Sequence, residues 1–323
     1  MSLETEALLD RRRLRRSMSF WRAAAVVALV VAMAVIGVLA AGGASGSMFG
    51  KQQIARVPLE GMITENRAQL RMLSKLARDD KVAAVILYVN SPGGTTTGGE
   101  ALFETIRELA KKKPVVAQFG TIATSAAYIA GLATDHIIAR GNTITGSVGV
   151  IFQWAEVSEL LGKVGVKMNE IKSGPLKAEP SPFHPLDPAG RETAQQMVSE
   201  SMTWFRGLVS ERRKVSTSAI PGLEQGRIFS GREALTHKLI DGIGGETEAL
   251  SYLVNERGVG RGLKVVDWKP KADDTFGFLG MATRALARTV GISGFVAEWL
   301  GDDSPFVALR MGGLVSVWQP SEK

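Results

Sequence analysis

A serine and a lysine, each among small or glycine-rich neighbours, are the side chains of this chain best suited to covalent chemistry. Ser125 is surrounded by alanines and a threonine, and Lys177 follows a Ser-Gly-Pro-Leu stretch. A serine hydroxyl becomes an effective nucleophile when a nearby base takes its proton, and a neutral lysine can replace histidine as that base. The two residues therefore predict acyl transfer of the kind that hydrolyses peptide bonds.

A glycine pair upstream is the expected source of oxyanion donors. Gly93 and Gly94 follow a proline at the end of the apolar run 82–89. Glycine lets a substrate backbone approach closely, and backbone N–H groups aimed at a developing oxyanion stabilise the transition state. The N–H of Ala126, next to the nucleophile, is a second expected donor. An ordinary Pro-Gly-Gly turn is the alternative explanation for the pair.

The lysine must be neutral to act as a base. Burial in an apolar cleft lowers a lysine pKa, and the prolines and leucine beside Lys177 could form such a cleft. Ser147, in a Thr-Gly-Ser-Val-Gly stretch, is a candidate to hold the lysine amine by a hydrogen bond. Taken singly, each side chain also has an ordinary role: a helix cap for Ser125, a turn residue for Ser147 and a surface charge for Lys177.

Composition excludes several other chemistries. The 323 residues include no cysteine, which removes disulfides, a thiolate nucleophile and cysteine-ligated metal. The three histidines are scattered and form no His-Glu-x-x-His pattern, so a zinc hydrolase is not expected. We therefore predict that catalysis uses no metal and no cofactor.

The N-terminus carries a membrane signal. Six arginines lie between Arg11 and Arg22, and residues 23–50 contain no charge. Residues 23–41 are almost all apolar, and about 20 such residues span a bilayer as a helix. Arginines before the run predict a cytoplasmic N-terminus, and their position argues against a nucleic-acid patch. Small residues at 39–44 leave a cleaved signal peptide as the alternative.

Four segments are expected along the chain: a basic cytoplasmic N-terminus (1–22), a transmembrane anchor (23–46), a peptidase domain (47–262) and a C-terminal extension (263–323). The extension combines an amphipathic stretch at 276–300 with an apolar stretch at 306–318. We expect it to close the core, to contact another subunit or to dock on the membrane surface.

Strand-like and helix-like segments alternate through the central domain. Residues 82–89 have the continuous apolar character of a strand buried on both faces, and residues 114–119 are predicted as a second buried strand. A capping box at Thr97 predicts a helix to about residue 112, residues 167–171 are predicted as a strand, and Asp187 with Pro188 predicts a long helix. This alternation predicts an α/β fold with a mainly parallel sheet. Ligands bind at the carboxyl ends of such strands, where the glycine turn and Ser125 are expected.

Five segments in this order resemble the signal peptide peptidase (SppA) family of Ser-Lys proteases: residues 90–94, 125–130, 145–150, 173–177 and 226–231. The resemblance extends over about residues 53–255 and implies a fold similar to those of Clp protease and crotonase. It implies Ser125 as nucleophile, Lys177 as general base and Ser147 as the residue that orients the lysine. It also implies Gly93 or Gly94 in the oxyanion hole. Many relatives have Asp directly after the lysine, where this chain has Ala178.

The resemblance further implies a single-pass protein of the cell inner membrane with its catalytic domain on the periplasmic side. It implies a ring- or dome-shaped homo-oligomer, a tetramer or octamer, and leaves open whether serine and lysine come from one subunit or from two neighbouring subunits. Remnant signal peptides are the implied substrates. Two alternatives remain open at this point: a crotonase-like acyl-CoA enzyme and a non-catalytic membrane scaffold of the same fold.

Overall fold

The computed structural model describes residues 52–270 and 314–317, together with Trp21, residues 25–30 and Ala32. The chain divides into two compact units, Met1–Lys51 and Gln52–Lys323. Residues 25–30 of the first unit are helical, and most of the expected transmembrane run lies outside the described residues. Among the helices that can be described, none combines the length and apolar character that a bilayer crossing requires.

The second unit is an alternation of strands and helices. In chain order they are β1 (Gln53–Glu60), α1 (Arg67–Leu76), β2 (Val82–Ser91), β3 (Gly93–Thr95), α2 (Thr96–Ala110), β4 (Val115–Thr124), α3 (Ala126–Leu132), β5 (His136–Ala139), β6 (Ile144–Gly146), β7 (Ile151–Phe152), α4 (Ser158–Lys163), α5 (Pro188–Arg213), β8 (Ile228–Ser230), α6 (Gly231–Thr236), β9 (Gly242–Ile243), α7 (Glu246–Asn255), β10 (Lys264–Asp267) and β11 (Leu314–Val317). Two single-turn 3₁₀ helices, Thr217–Ala219 and Leu223–Gln225, lie between α5 and β8.

The main sheet has eight strands and is mostly parallel. Six of them lie in the order β10-β1-β2-β4-β5-β9. The end of β4 also pairs with β6 in parallel, and β6 pairs with β8 in antiparallel fashion. The central strands are buried on both faces, as the fully buried Val85, Ile86 and Leu87 of β2 illustrate. The predicted α/β fold with a mainly parallel sheet is confirmed.

Helices cover both faces of this sheet. The larger core packs α1, α2, α3 and α5 on one face, with Leu73, Ile106, Tyr128 and Phe205 all at its centre. The smaller core packs α7 on the other face. Burial of these large apolar side chains is the main favourable contribution to folding.

A second sheet has three strands, in the order β3-β11-β7. Its central strand, β11, is antiparallel to both neighbours. Together with β10, it shows that the segment after residue 262 contributes a strand to each sheet. The amphipathic stretch 276–300 lies outside the described residues.

Several sequence-based boundaries need correction. Residues 167–171 are not a strand: all five are exposed and no strand pairs with them, so their alternating character has no sheet to join. In the stretch 148–152, which the sequence also suggests as a strand, only Ile151 and Phe152 pair, as β7. Helix α2 begins at Thr96, because the Thr95 hydroxyl rather than that of Thr97 caps it, accepting from the N–H of Gly98 at 3.1 Å.

The long helix was predicted correctly. Asp187 caps α5 by accepting the N–H of Gly190 at 2.7 Å, and Pro188 occupies its first turn. Proline at this position needs no N–H partner and has a preset φ, which explains why the pair is a reliable start signal.

Candidate active site

Ser125 occupies a sharp turn between β4 and α3. Its backbone has φ 59° and ψ −120°, a conformation that non-glycine residues rarely adopt, and the residue is only 1% exposed. Its side chain does not cap α3, so the helix-cap explanation is not supported. A strained serine between a strand and a helix is the arrangement that hydrolases use to present a nucleophile.

Ser147 lies at the same sheet edge as Ser125. Thr124 pairs with Gly146 in the parallel register of β4 and β6, and the Ser125 N–H donates to the Gly146 carbonyl at 2.9 Å. The two serines are therefore the next residues on adjacent parallel strands. Ser147 also has positive φ (52°), is 8% exposed, and is held by its N–H bond to the Arg227 carbonyl at 2.9 Å.

The glycine turn is joined to Thr124, the residue before Ser125. The Thr124 hydroxyl donates to the Pro92 carbonyl at 3.0 Å. Gly93 has φ 107°, which glycine adopts without strain, and its N–H donates to the Ser91 hydroxyl at 3.1 Å. The Gly93 N–H thus already has a partner within the turn.

The backbone groups of Gly94 point to the edge of β3 opposite to the one that Ile63 contacts. Ile63 donates its N–H to the Gly93 carbonyl and accepts the N–H of Thr95, both at 2.8 Å. Successive backbone groups of a strand point to opposite edges, so the N–H and carbonyl of Gly94 point away from Ile63, towards β11. Glycine is required here, since a Cβ would lie 1.8 Å from the Ile63 carbonyl oxygen.

Ala126, the other expected donor, is fully buried and begins α3. The first N–H groups of a helix have no partner within the helix. The structure therefore brings together five of the six residues predicted for the site: Ser125, Ser147, Gly93, Gly94 and Ala126.

Lys177, the sixth, lies on a separate and largely exposed segment. Between residues 153 and 187, all of which are described, Ser181 alone is buried. The backbone bonds of the segment join its own residues; Lys177 donates its N–H to the Gly174 carbonyl at 3.1 Å, for example. Lys177 itself is exposed, so the apolar cleft expected around it is not formed by its own neighbours in the chain.

Charged residues on both sides of Lys177 in the chain form a cluster of ion pairs that was not predicted from the sequence. Lys172 Nζ lies 2.8 Å from Glu179 and 2.9 Å from Glu170, and His184 Nε2 lies 3.1 Å from Glu179. The Glu179 side chain is only 3% exposed. Hydrogen bonds to Glu179 and Glu170 raise the pKa of Lys172, and the hydrogen bond from Lys172 lowers the pKa of Glu170. The spacing of these charges in the sequence gives no signal, because their contacts depend on how the loop turns back.

The same segment exposes many apolar side chains. Large hydrophobic residues that are at least two-fifths exposed are Leu160, Val164, Val166, Met168, Ile171 and Leu176. A contiguous stretch of this kind is typical of a surface that another protein covers. Among the described residues, no group of histidine and acidic side chains is arranged to hold a metal ion.

Two protein-family models and several known proteins match this chain. The model of Peptidase family S49 matches residues 107–260, and that of Clp protease matches residues 27–140. A protein named as a candidate protease in Methanocaldococcus jannaschii is 32% identical over 248 residues, which cover 71% of this chain and 80% of that protein.

Two further relatives are also named as peptidases. A protein named as a candidate signal peptide peptidase SppA in Enterococcus faecium is 32% identical, over 84% of this chain and 72% of that protein. Protease 4 of Haemophilus influenzae is 30% identical over 80% of this chain but only 43% of its own length. Among solved structures, a mutant of the membrane-bound stomatin-specific protease 1510-N matches with a TM-score of 0.45 and 16% identity, over 68% of this chain and 99% of that chain.

The chain has an α/β Clp-like fold and is 32% identical to two relatives over most of their lengths. It therefore belongs to peptidase family S49 and is a serine peptidase.

Proposed function

We propose that this chain is a serine endopeptidase in which Ser125 is the nucleophile and Lys177 the general base. The observation that carries the proposal is the place of Ser125, buried and strained at the end of β4, beside Ser147 and the glycine turn. Such strain persists only where the surrounding fold enforces it, and it clusters at catalytic positions. Family membership favours this activity over an acyl-CoA enzyme or an inactive scaffold.

The proposed reaction has two stages. Lys177 Nζ takes the proton of the Ser125 hydroxyl while Oγ attacks the peptide carbonyl carbon, and the oxyanion is bound by the N–H of Ala126 and that of Gly93 or Gly94. The tetrahedral intermediate expels the amine, which leaves with the proton from Lys177, and an acyl-enzyme remains. Water then attacks the ester, its proton passes through Lys177 to Ser125 Oγ, and the acid is released.

Ser147 is proposed to orient the lysine amine by a hydrogen bond. Its support is its place directly beside Ser125, after a strand held in register with β4. Gly93 or Gly94 is proposed as the other oxyanion donor; in this structure the Gly93 N–H is bonded to Ser91 and the Gly94 N–H faces β11. Either glycine keeps the backbone open to a peptide, since neither carries a side chain.

We further propose that the active unit is a homo-oligomer, a tetramer or octamer, in which Lys177 approaches Ser125 of a neighbouring subunit. Two observations support this. Lys177 is exposed in its own chain, and the segment around it carries a stretch of exposed apolar side chains. Burial of that stretch against another copy would desolvate the amine, which favours its neutral form.

The proposed substrates are membrane-associated peptides, remnant signal peptides among them. Support comes from the apolar run at 23–41 with arginines before it, which is proposed to anchor the peptidase on the periplasmic side of the inner membrane. One relative is named for signal peptide peptidase activity. The division into a basic N-terminus, an anchor, a peptidase domain and a C-terminal extension is part of the same proposal.

The test is cleavage of a quenched fluorescent signal-peptide substrate by detergent-solubilised full-length protein. Ser125→Ala is expected to abolish turnover while the far-UV circular dichroism spectrum stays unchanged. Ser74→Ala, an exposed serine of α1, is the matched control and should retain full activity. Activity of Ser125→Ala equal to that of the control would overturn the assignment.

A further inference from the structure

Helix α3, which begins directly after Ser125, has no charged residue of its own. The carbonyls at its C-terminal end are bonded by arginines from two other helices, Arg107 of α2 and Arg212 of α5. We propose that Arg107 and Arg212 are positioning residues for the peptidase reaction: they fix α3 along its axis and thereby set the distance between the Ala126 N–H and the glycine turn. This proposal rests on the proposed roles of Ser125 and of these N–H groups.

The contacts at the end of α3 are charge-assisted hydrogen bonds to three successive carbonyls. Arg212 donates from Nε to the Leu132 carbonyl at 2.8 Å and from Nη2 to the Thr134 carbonyl at 3.0 Å. Arg107 donates from Nη1 to the Ala133 carbonyl, between them in the chain, at 2.9 Å. The last carbonyls of a helix have no partner within the helix. The planar fork of Arg212 restrains two of them in a fixed geometry that a flexible lysine ammonium does not reproduce.

The arginines are held close together in spite of their like charge. Desolvation by partial burial lowers the pKa of Arg212, and the nearby cation of Arg107 lowers it further. Both cations are stabilised here because they bond to carbonyls at the negative end of a helix. Since α3 is buried over its whole length, loss of either side chain would leave a buried carbonyl without its partner. The arrangement is therefore a specific anchor for α3.

Helices α2 and α3 also touch beside the proposed oxyanion donor. A Cβ added at Gly99 of α2 would lie 3.2 Å from the Cβ of Ala126. At a rise of about 1.5 Å per residue, α2 advances about 12 Å from Gly99 to Arg107, and α3 advances about 11 Å from Ala126 to Ala133. The two contacts therefore join the same pair of helices near their two ends. Because α2 follows the glycine turn directly, a slide of α3 along α2 would change the distance from Ala126 to that turn.

Stabilisation of an oxyanion is sensitive to such a slide. Its donors act when they lie about 2.7–3.1 Å from the position that the oxyanion occupies, and a misplacement of about 1 Å can lower the rate about 100-fold. The two proposed donors belong to different elements, the start of α3 and the turn before α2, so neither element alone fixes both. The arginines therefore act on the transition state more than on binding of the peptide before reaction.

The first test compares Arg212→Lys with Arg213→Lys in the detergent-solubilised full-length protein. Arg213 is the next residue of α5 and also forms a fork, but it binds Asp241 and the Lys238 carbonyl rather than the end of α3. The matched pair therefore separates a change at α3 from a general change at this end of α5.

The inhibitor in this test is a peptide aldehyde, whose hemiacetal oxygen occupies the oxyanion site. Arg212→Lys is expected to lower kcat and to weaken aldehyde inhibition, each about tenfold, with KM within about twofold, because only the transition-state contact is disturbed. Arg213→Lys should keep all three quantities within about twofold of the wild type. Equal kcat and equal aldehyde inhibition in the two variants would overturn the proposal.

A second variant tests the same claim if Arg212→Lys does not fold. Arg107→Met removes one of the three bonds and keeps a long unbranched side chain. It is expected to lower kcat and to weaken aldehyde inhibition about threefold, with KM unchanged. Values equal to those of Arg213→Lys would overturn the proposal.

A third measurement needs no catalysis, so failure of the proposed function and failure of this inference can be told apart. Hydrogen exchange with mass spectrometry is measured on the Ser125→Ala protein combined with either Arg212→Lys or Arg213→Lys. Arg212→Lys is expected to speed exchange at residues 126–134 at least tenfold relative to Arg213→Lys, with β2 unchanged. Equal exchange would contradict the anchoring of α3, whatever Ser125 does. A wild-type protein that the aldehyde does not inhibit would instead count against Ser125 as the nucleophile.

Discussion

The backbone N–H of Ser125 donates to the carbonyl of Gly146 at 2.9 Å, which ties the proposed nucleophile to the strand that delivers Ser147. The bond continues the parallel register of β4 and β6 by one residue, into the segment where both chains leave the sheet. Both serines then adopt positive φ, 59° and 52°. Two adjacent strained serines at one sheet edge are placed by the sheet itself, and their relative position is not left to loop flexibility.

Ser147→Ala is expected to lower kcat by about 10- to 100-fold, with KM within a factor of about three, because its hydroxyl is proposed to orient the base rather than to bind substrate. Steady-state kinetics on a fluorogenic peptide measures the split. Ser74→Ala again serves as the control. A rise in KM with unchanged kcat would contradict the orienting role and would assign Ser147 to substrate binding.

Gly94→Ala is expected to destabilise the domain by about 1–3 kcal/mol and to remove activity, since the added Cβ would meet the Ile63 carbonyl oxygen and must displace β3. Gly207→Ala is the matched control. Gly207 is exposed on α5 with no atom within 4 Å of an added Cβ, so alanine there should stabilise the protein by about 0.5–1 kcal/mol. Urea unfolding measures both, and an unperturbed, active Gly94→Ala protein would refute the close approach.

Glu179→Gln is expected to lower kcat about tenfold by loosening the loop that carries Lys177. The substitution preserves size but removes the charge paired with Lys172 at 2.8 Å, and Glu179 is nearly buried. Lys172→Arg, which keeps the pair, should retain most of the activity. The control is Glu108→Gln, which removes an exposed ion pair on α2 and is expected to have little effect.

A structural role alone would give a different pattern for this pair. If Glu179→Gln lowers the unfolding temperature but leaves kcat unchanged at a temperature where the protein is folded, the ion cluster does not position the base. The measurement therefore pairs kinetics at 25 °C with thermal unfolding of the same samples.

Stability in acid should depend on Glu233. Its pKa is lowered from 4.5, chiefly by the backbone hydrogen bond from Ser230 and also by Arg227, whose guanidinium lies 2.6 Å away. A depressed pKa in the folded state means that the stabilisation is present above the unfolded-state pKa and is lost as pH falls through the lower folded value. Glu233→Gln should flatten the decline of unfolding free energy below about pH 4.5. If the unfolding free energy of Glu233→Gln declines in acid as that of the wild type does, Glu233 has the same pKa in the folded and unfolded states.

The sequence predicted those features that depend on neighbouring residues. The continuous apolar run at 82–89 marks β2, and Asp187 with Pro188 marks the start of α5. The small residues around Ser125 marked it as a candidate nucleophile, and Ala126 and Ala127 allow α3 to pack fully buried. These signals are local, so composition and spacing were enough.

Features that depend on distant partners were not predictable in the same way. Residues 167–171 have strand character but no partner, and β11 is a strand because β3 and β7 lie beside it. The ion pair between Lys172 and Glu179 depends on the path of the loop between them. The surroundings expected for Lys177 are not formed within its own segment, which is why an oligomer is part of the proposal.

The most direct test of the proposed catalytic pair is the rate at which a fluorophosphonate probe labels Ser125, followed by intact mass and peptide mapping of the detergent-solubilised full-length protein. We expect a single adduct on Ser125 in the wild type, no adduct in Ser125→Ala, and a labelling rate at least about 100-fold lower in Lys177→Ala, since the proposed base is then missing. Equal labelling rates in the wild type and Lys177→Ala, or an adduct on another serine, would contradict the proposed pair.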